Sequence, residues 1–151
     1  MPNYTLNLPG LADTARTQIE TFRRIISTTE VRRLLPDGEA DDRRFRFNDR
    51  SALLMLLVAD CIRYGMKAPQ AGRIVGGIAE RLAFDPTASH VHIEFHENGA
   101  SFTFTSDEAP DAASAAGPAR FKLTFDLRAY RAVIETALAE RAAAMGNDDA
   151  E

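Results

Sequence analysis

The chain has 151 residues and a mass of 16.6 kDa, with 45% hydrophobic residues, 26% charged residues and a net charge of −4. That is about one domain's worth of sequence, apolar enough to build a core without metals or disulfides. The single cysteine, Cys61, excludes an intrachain disulfide and a multi-cysteine metal centre and points to a reducing, cytoplasmic setting, while the longest apolar run, residues 53–59, falls far short of the roughly 20 residues that span a bilayer.

No basic stretch followed by an apolar one opens the chain, so no secretory signal is expected. Residues 1–8 start extended. Leu11, Ala15, Ile19, Phe22 and Ile26 recur at helical spacing and predict helix over 11–26. Residues 27–35 carry β-branched side chains and predict a short strand. After the Pro36-Asp37-Gly38 turn, the alternating stretch 43–47 predicts a returning strand, so that 31–47 forms a hairpin. Asn48, Asp49 and Ser51 are candidate N-caps for an apolar helix over 52–64, which Gly65 ends. Pro69 opens a further helix to about Phe84, and the Gly76-Gly77 pair inside it suits a close crossing.

Asp85-Pro86 marks a boundary. Beyond it, residues 91–97 and 100–105 alternate around Asn98-Gly99, a strong hairpin signal. A two-residue loop there pairs Phe95 with Phe102 and Ile93 with Phe104. Residues 106–119 are rich in Ala, Ser, Pro and Asp and read as a loop. Phe121, Leu123, Phe125 and Leu127 alternate as a third strand. Asp126 can cap a last helix to about Met145 with Tyr130, Val133, Ile134, Ala137 and Leu138 on its apolar face. The expected organisation is therefore residues 1–84 as one module, 85–145 as a hairpin, third strand and closing helix, and 146–151 as a disordered tail.

Charge is uneven along the chain. Residues 1–83 hold 13 Lys/Arg against 10 Asp/Glu, a balance of +3, whereas residues 84–151 hold 5 against 12, a balance of −7. The N-terminal positive charge is mostly arginine, whose planar fork of donors suits phosphate and guanine.

Residues 43–82 (RRFRFNDRSALLMLLVADCIRYGMKAPQAGRIVGGIAERL) resemble the winged-helix part of the MerR-type helix-turn-helix DNA-binding family. The matching parts are the Arg-rich strand Arg43-Arg44-Phe45-Arg46-Phe47, the polar cap Asn48-Asp49, the Leu-rich helix, Gly65, and the second helix from Pro69. Upstream, Leu11-Ala12 followed by Thr21-Phe22-Arg23 is similar to the family's helix-turn-helix spacing, and Leu34-Leu35-Pro36 is similar to its entry into the wing. Three departures stand out. The family's turn Gly-Val falls on Arg16-Thr17, about five extra residues precede Pro36, and the C-terminal half does not look like a long dimerising coiled coil.

The resemblance implies an α+β protein, a MerR-like winged helix-turn-helix followed by a small three-stranded antiparallel sheet with a C-terminal helix. It implies a DNA-binding transcriptional regulator, acting on double-stranded DNA as a homodimer with recognition helices about 34 Å apart. Arg16, Gln18, Thr21, Arg23 and Arg24 would read the major groove, and Arg43, Arg44 and Arg46 on the wing would hold phosphates. The alternative is a winged-helix-derived protein-interaction or adaptor module that does not bind DNA.

All three histidines, His90, His92 and His96, fall on one strand face with Glu94. His90 and His92, with Glu94 as third ligand, make a candidate for a metal-sensing site; the competing reading is a solvated face opposite Ser101, Thr103 and Thr105. Cys61 sits in an apolar helix and reads as core. No Gly-rich phosphate loop, HExxH or Gly-x-Ser-x-Gly is present, so no catalytic residue and no cofactor is expected.

Overall fold

The computed structural model describes residues 5–35, 46–97, 99, 101–107 and 120–148. It is a mixed α+β structure whose chain divides into two compact units, residues 1–75 with 130–151 and residues 76–129. The last helix therefore belongs mostly to the first unit, whereas the sequence pattern groups it with the sheet. Among the described residues, no helix is long and apolar enough to cross a membrane.

In the first unit, β1 (Leu6–Asn7) leads into α1 (Leu8–Thr14). The Asn7 side chain caps α1 by accepting from the Gly10 N–H at 2.9 Å, and Pro9 occupies the first turn, where no N–H donor is needed. The chain then turns through 15–18 and enters α2 (Ile19–Ser27). Residues 11–26, whose helical spacing suits either one helix or a helix-turn-helix, thus form parts of two helices. A short helix α3 (Thr29–Arg32) follows directly, where a strand was expected. The burial pattern fits a helical path: Val31 and Leu35, four apart, are buried while Arg33 between them is exposed, whereas a strand would have put 31, 33 and 35 on one face. Thr28 closes α2 and opens α3 with one extended residue.

The partner of β2 (Arg46–Phe47) is β1, in antiparallel register Leu6↔Phe47 and Asn7↔Arg46, and not residues 31–35. The rest of the expected hairpin, 36–45, lies outside the described residues. Helix α4 (Asp49–Arg63) starts on Asn48, whose side chain accepts from the Ser51 N–H at 2.9 Å. It is buried on every side from Ser51 to Ala59, as its unbroken apolar run requires. Gly65, at φ 105°, ends it: the Gly65 N–H donates to the Ile62 carbonyl and the Met66 N–H to Cys61, the paired bonds of a Schellman stop. Helix α5 (Ala68–Phe84) begins at the position that Pro69 indicated. Phe22, Phe47, Leu11, Ile26, Leu54, Met55 and Leu57 are the largest fully buried side chains of this unit.

The second unit holds β3 (His90–Phe95), β4 (Ser101–Ser106) and β5 (Phe121–Asp126) in the order β4-β3-β5, both pairings antiparallel. The three expected strands are present, but the hairpin register is displaced by one residue. Phe102 faces Glu94 and Phe104 faces His92, with Phe95↔Ser101 the last ladder pair. The turn closes by a Gly99 N–H bond to the His96 carbonyl (3.0 Å) with Gly99 at φ 82°, so five residues, not two, separate the strands. A one-residue slip exchanges faces. Ser101, Thr103 and Thr105 join Val91, Ile93 and Phe95, while Phe102 and Phe104 join the histidines. Of the glycine pair in α5, Gly77 faces this sheet: a Cβ there would lie 3.3 Å from Thr103 Oγ1.

Helix α6 (Leu127–Asp148) follows β5 without a loop. Asp126 caps it by accepting from the Arg128 N–H at 3.1 Å, as the sequence suggested. The helix runs three residues past Met145.

Candidate functional site

The expected DNA-reading residues lie on the turn and on α2. Arg16, Gln18, Thr21, Arg23 and Arg24 are all exposed. Arg46 is exposed on β2, opposite Asn7. Arg43 and Arg44 lie outside the described residues. Helix α2 is strongly two-faced: Phe22, Ile25 and Ile26 are buried, which at 100° per residue puts Glu20, Arg24 and Ser27 on the opposite side with Thr21 and Arg23 flanking. Glu20 interrupts the positive charge there. Its carboxylate accepts from Arg23 Nη1 at 2.8 Å, an exposed pair of small energetic value that still offsets one cation. Arg16, Arg24 and Arg46 make no ion pair among the described residues.

The turn before α2 has a defined geometry. Arg16 adopts φ 53°, the left-handed region that glycine favours. The Arg16 N–H donates to Asp13 (3.0 Å) and the Thr17 N–H to Ala12 (2.9 Å). These are again the paired bonds of a Schellman stop, here built with arginine at the glycine position. That position is where the resemblance set the family's turn glycine.

Sequence reasoning did not single out Asp60 and Arg63, and it placed Tyr130 only on an apolar face. Arg63 on α4 donates to Asp60 Oδ1 at 3.0 Å and to the Ala15 carbonyl in the turn, and the Tyr130 hydroxyl on α6 donates to Asp60 Oδ2 at 2.5 Å. The only local signal is the Asp60/Arg63 spacing of three; the other two contacts join residues far apart in sequence.

The histidine face of β3 is not solvated. His92 is 0% and Glu94 1% exposed, because β3 is the central strand and side chains of both neighbours close over it. The Phe104 ring stacks on His92 (4.9 Å between centroids). His92 Nδ1 shares a hydrogen bond with Thr124 Oγ1 (2.9 Å) and Nε2 one with Ser106 Oγ (2.7 Å). Glu94 lies 3.3 Å from His96 Nε2 and 3.8 Å from Lys122 Nζ. Both His92 nitrogens are thus engaged by hydroxyls. No three His, Cys, Asp or Glu side chains among the described residues converge as metal ligands.

Burial first, then the charges of Lys122 and His90, hold the His92 imidazole below its ordinary value of 6.5, with Glu94 opposing. The unfolded chain then binds more protons than the folded one once pH falls through about 6.5, so stability must fall with it. Urea unfolding midpoints that decline from pH 7.5 to 5.5, and decline less in His92→Gln, are the expected result; a midpoint flat across that interval would contradict it.

Cys61 is buried core, as its helix indicated, and burial with the neighbouring Asp60 charge pushes its thiol up to about 11. It is therefore no nucleophile at neutral pH. Comparison of the chain with protein-family models, curated proteins and solved structures finds no match.

Proposed function

We propose that the first unit is a double-stranded-DNA-binding module of the MerR-like winged helix-turn-helix type, and that the chain is a homodimeric transcriptional regulator. One observation carries this reading. Two short helices meet at a tight left-handed turn, and the second buries Phe22, Ile25 and Ile26 while keeping Thr21, Arg23 and Arg24 at the surface, with Arg16 and Gln18 exposed just before it. Arginine, glutamine and threonine are the side chains whose donors and acceptors match base edges in the major groove. The β1–β2 pairing adds support, since it sets exposed Arg46 beside the start of α1, next in sequence to the arginines of the expected wing.

The test is titration of a labelled mixed-sequence duplex with the full chain at roughly 50 to 200 mM salt. Affinity is expected to fall linearly on a log–log plot, with a slope of about −0.9 for each phosphate contact. Arg16→Gly supplies the sharper result, because its two effects have opposite signs. Glycine relieves a left-handed residue that costs about 1 kcal/mol or more, so thermal stability rises, while loss of the guanidinium weakens duplex binding. Weaker binding by a more stable protein separates contact with DNA from damage to the fold. Absence of duplex binding at the lowest salt sinks the reading.

The second reading, a protein-interaction module, draws on Glu20, a carboxylate in the middle of the outward face of α2 that phosphates would repel. It is favoured if the duplex is ignored and Glu20→Gln does not restore binding.

A further inference from the structure

We propose that Tyr130, Asp60 and Arg63 are positioning residues that fix the 15–18 turn, and through it the outward face of α2, from the C-terminal helix. The duplex-binding part of this rests on the reading above; the hold on the turn does not.

The chain of contacts is continuous within the first unit. The Tyr130 hydroxyl donates to Asp60 Oδ2 at 2.5 Å, within the range of a charge-assisted O–H···O⁻ bond. Burial and the Asp60 carboxylate hold the phenol well above its ordinary range, so the proton stays on tyrosine and the bond keeps one direction. Asp60 Oδ1 accepts from Arg63 Nη1 at 3.0 Å. The guanidinium is a rigid plane, so anchoring Nη1 sets the direction of Nη2, which donates to the Ala15 carbonyl.

Ala15 is the C-cap of α1, directly before left-handed Arg16. Such a conformation in a non-glycine residue persists only where its surroundings over-determine it. The two backbone bonds of the turn supply part of that hold, and Thr17 Oγ1 donates to the same Ala15 carbonyl at 3.2 Å. Arg63 supplies the part that comes from outside the turn. An Asp/Arg pair three apart on an exposed helix end is ordinarily worth little. What distinguishes this pair is that each partner has a second, distant contact, one on α6 and one in the turn.

The experiment is amide hydrogen exchange on the full chain, paired with duplex titration, for the wild type, Tyr130→Phe and Arg63→Lys. Tyr130→Phe keeps the ring and removes only the donor. Arg63→Lys keeps the charge at a partly exposed site and removes the fork, so one variant remains informative if the other folds poorly. The Arg16 and Thr17 amides are expected to exchange about tenfold faster in both variants, roughly the worth of one charge-assisted hydrogen bond, with the α4 amides of residues 54–57 unchanged. Duplex affinity should fall severalfold with its salt slope kept, because the turn shifts while the phosphate contacts remain. Unchanged exchange in the turn overturns the proposal whatever the duplex does. Faster exchange with unchanged affinity overturns the positioning of α2. A wild type that binds no duplex removes the DNA reading, and exchange alone then decides the hold on the turn.

Discussion

Gly72→Ala is expected to destabilise the first unit by about 2–3 kcal/mol, although alanine is the better helix former by about 1 kcal/mol. Gly72 lies within α5, where α3 approaches it. A Cβ built there would sit 2.7 Å from the Glu30 carbonyl carbon, 2.8 Å from Glu30 Cβ and 2.9 Å from the Val31 nitrogen. These are mostly backbone atoms in a short helix whose Val31 is fully buried, so they cannot swing aside as a flexible side chain would. The methyl must push α3 and α5 apart, and both helices lose contacts. Gly77→Ala in the same helix is the internal control. Its nearest atom is a side-chain hydroxyl at 3.3 Å, which gives way more readily, so the penalty there is small or absent. Chemical denaturation of the two variants beside the wild type measures the difference. A Gly72→Ala protein as stable as the wild type would mean that α3 and α5 are not in this close contact.

What was legible in the sequence follows how local each determinant is. Helix α4 carried its start, its core and its stop within 18 residues, 48–65: an asparagine cap, a run of leucines and a glycine. The resemblance set the family's turn on Arg16-Thr17, but an arginine in place of glycine left one continuous helix open, and only the structure shows the left-handed residue there. Residues 27–35 misled because β-branching is a weak preference that packing overrides, and the packing partner, Gly72, is some forty residues away. The partner of β2 was missed for the same reason: β1 and β2 meet across the intervening helices.

The hairpin shows a different kind of limit. Alternation located both strands of β3–β4, but an alternating pattern is nearly as well satisfied after a shift of one, and the turn, which chooses between the two registers, is longer than Asn98-Gly99 suggested. That single displacement changed the meaning of the histidine strand. Opposite Ser101, Thr103 and Thr105 it reads as a wet surface; alongside Phe102 and Phe104 it is a covered polar layer. The arginines of α2 were legible as exposed side chains. The hold on their turn by Arg63 was not, because it depends on a carbonyl 48 residues away.

Lys122→Met should lower the stability of the second unit by about 2–4 kcal/mol at neutral pH. Glu94 and Lys122 are direct ladder partners on β3 and β5, with Nζ 3.8 Å from Oε1. Glu94 is 1% exposed, so bulk water contributes little to solvating its charge, and the Lys122 ammonium group brings a full positive charge to its Oε1. Methionine preserves the stem that runs toward Phe104, over whose ring Nζ lies at 5.8 Å, and removes only the cation. The loss therefore reports the buried carboxylate rather than lost packing. Glu94→Gln combined with Lys122→Met should recover much of it, since a neutral amide no longer needs a cation beside it. The pH dependence supplies a second readout. Lys122 is one of the charges that hold His92 low, so its removal eases protonation of His92 in the folded state and reduces the stability lost on acidification. The Lys122→Met protein should thus start less stable at pH 7.5 and lose less than the wild type by pH 5.5. Equal stability at pH 7.5, or a steeper acid loss than the wild type, would show that the buried face of β3 is not organised around this cation.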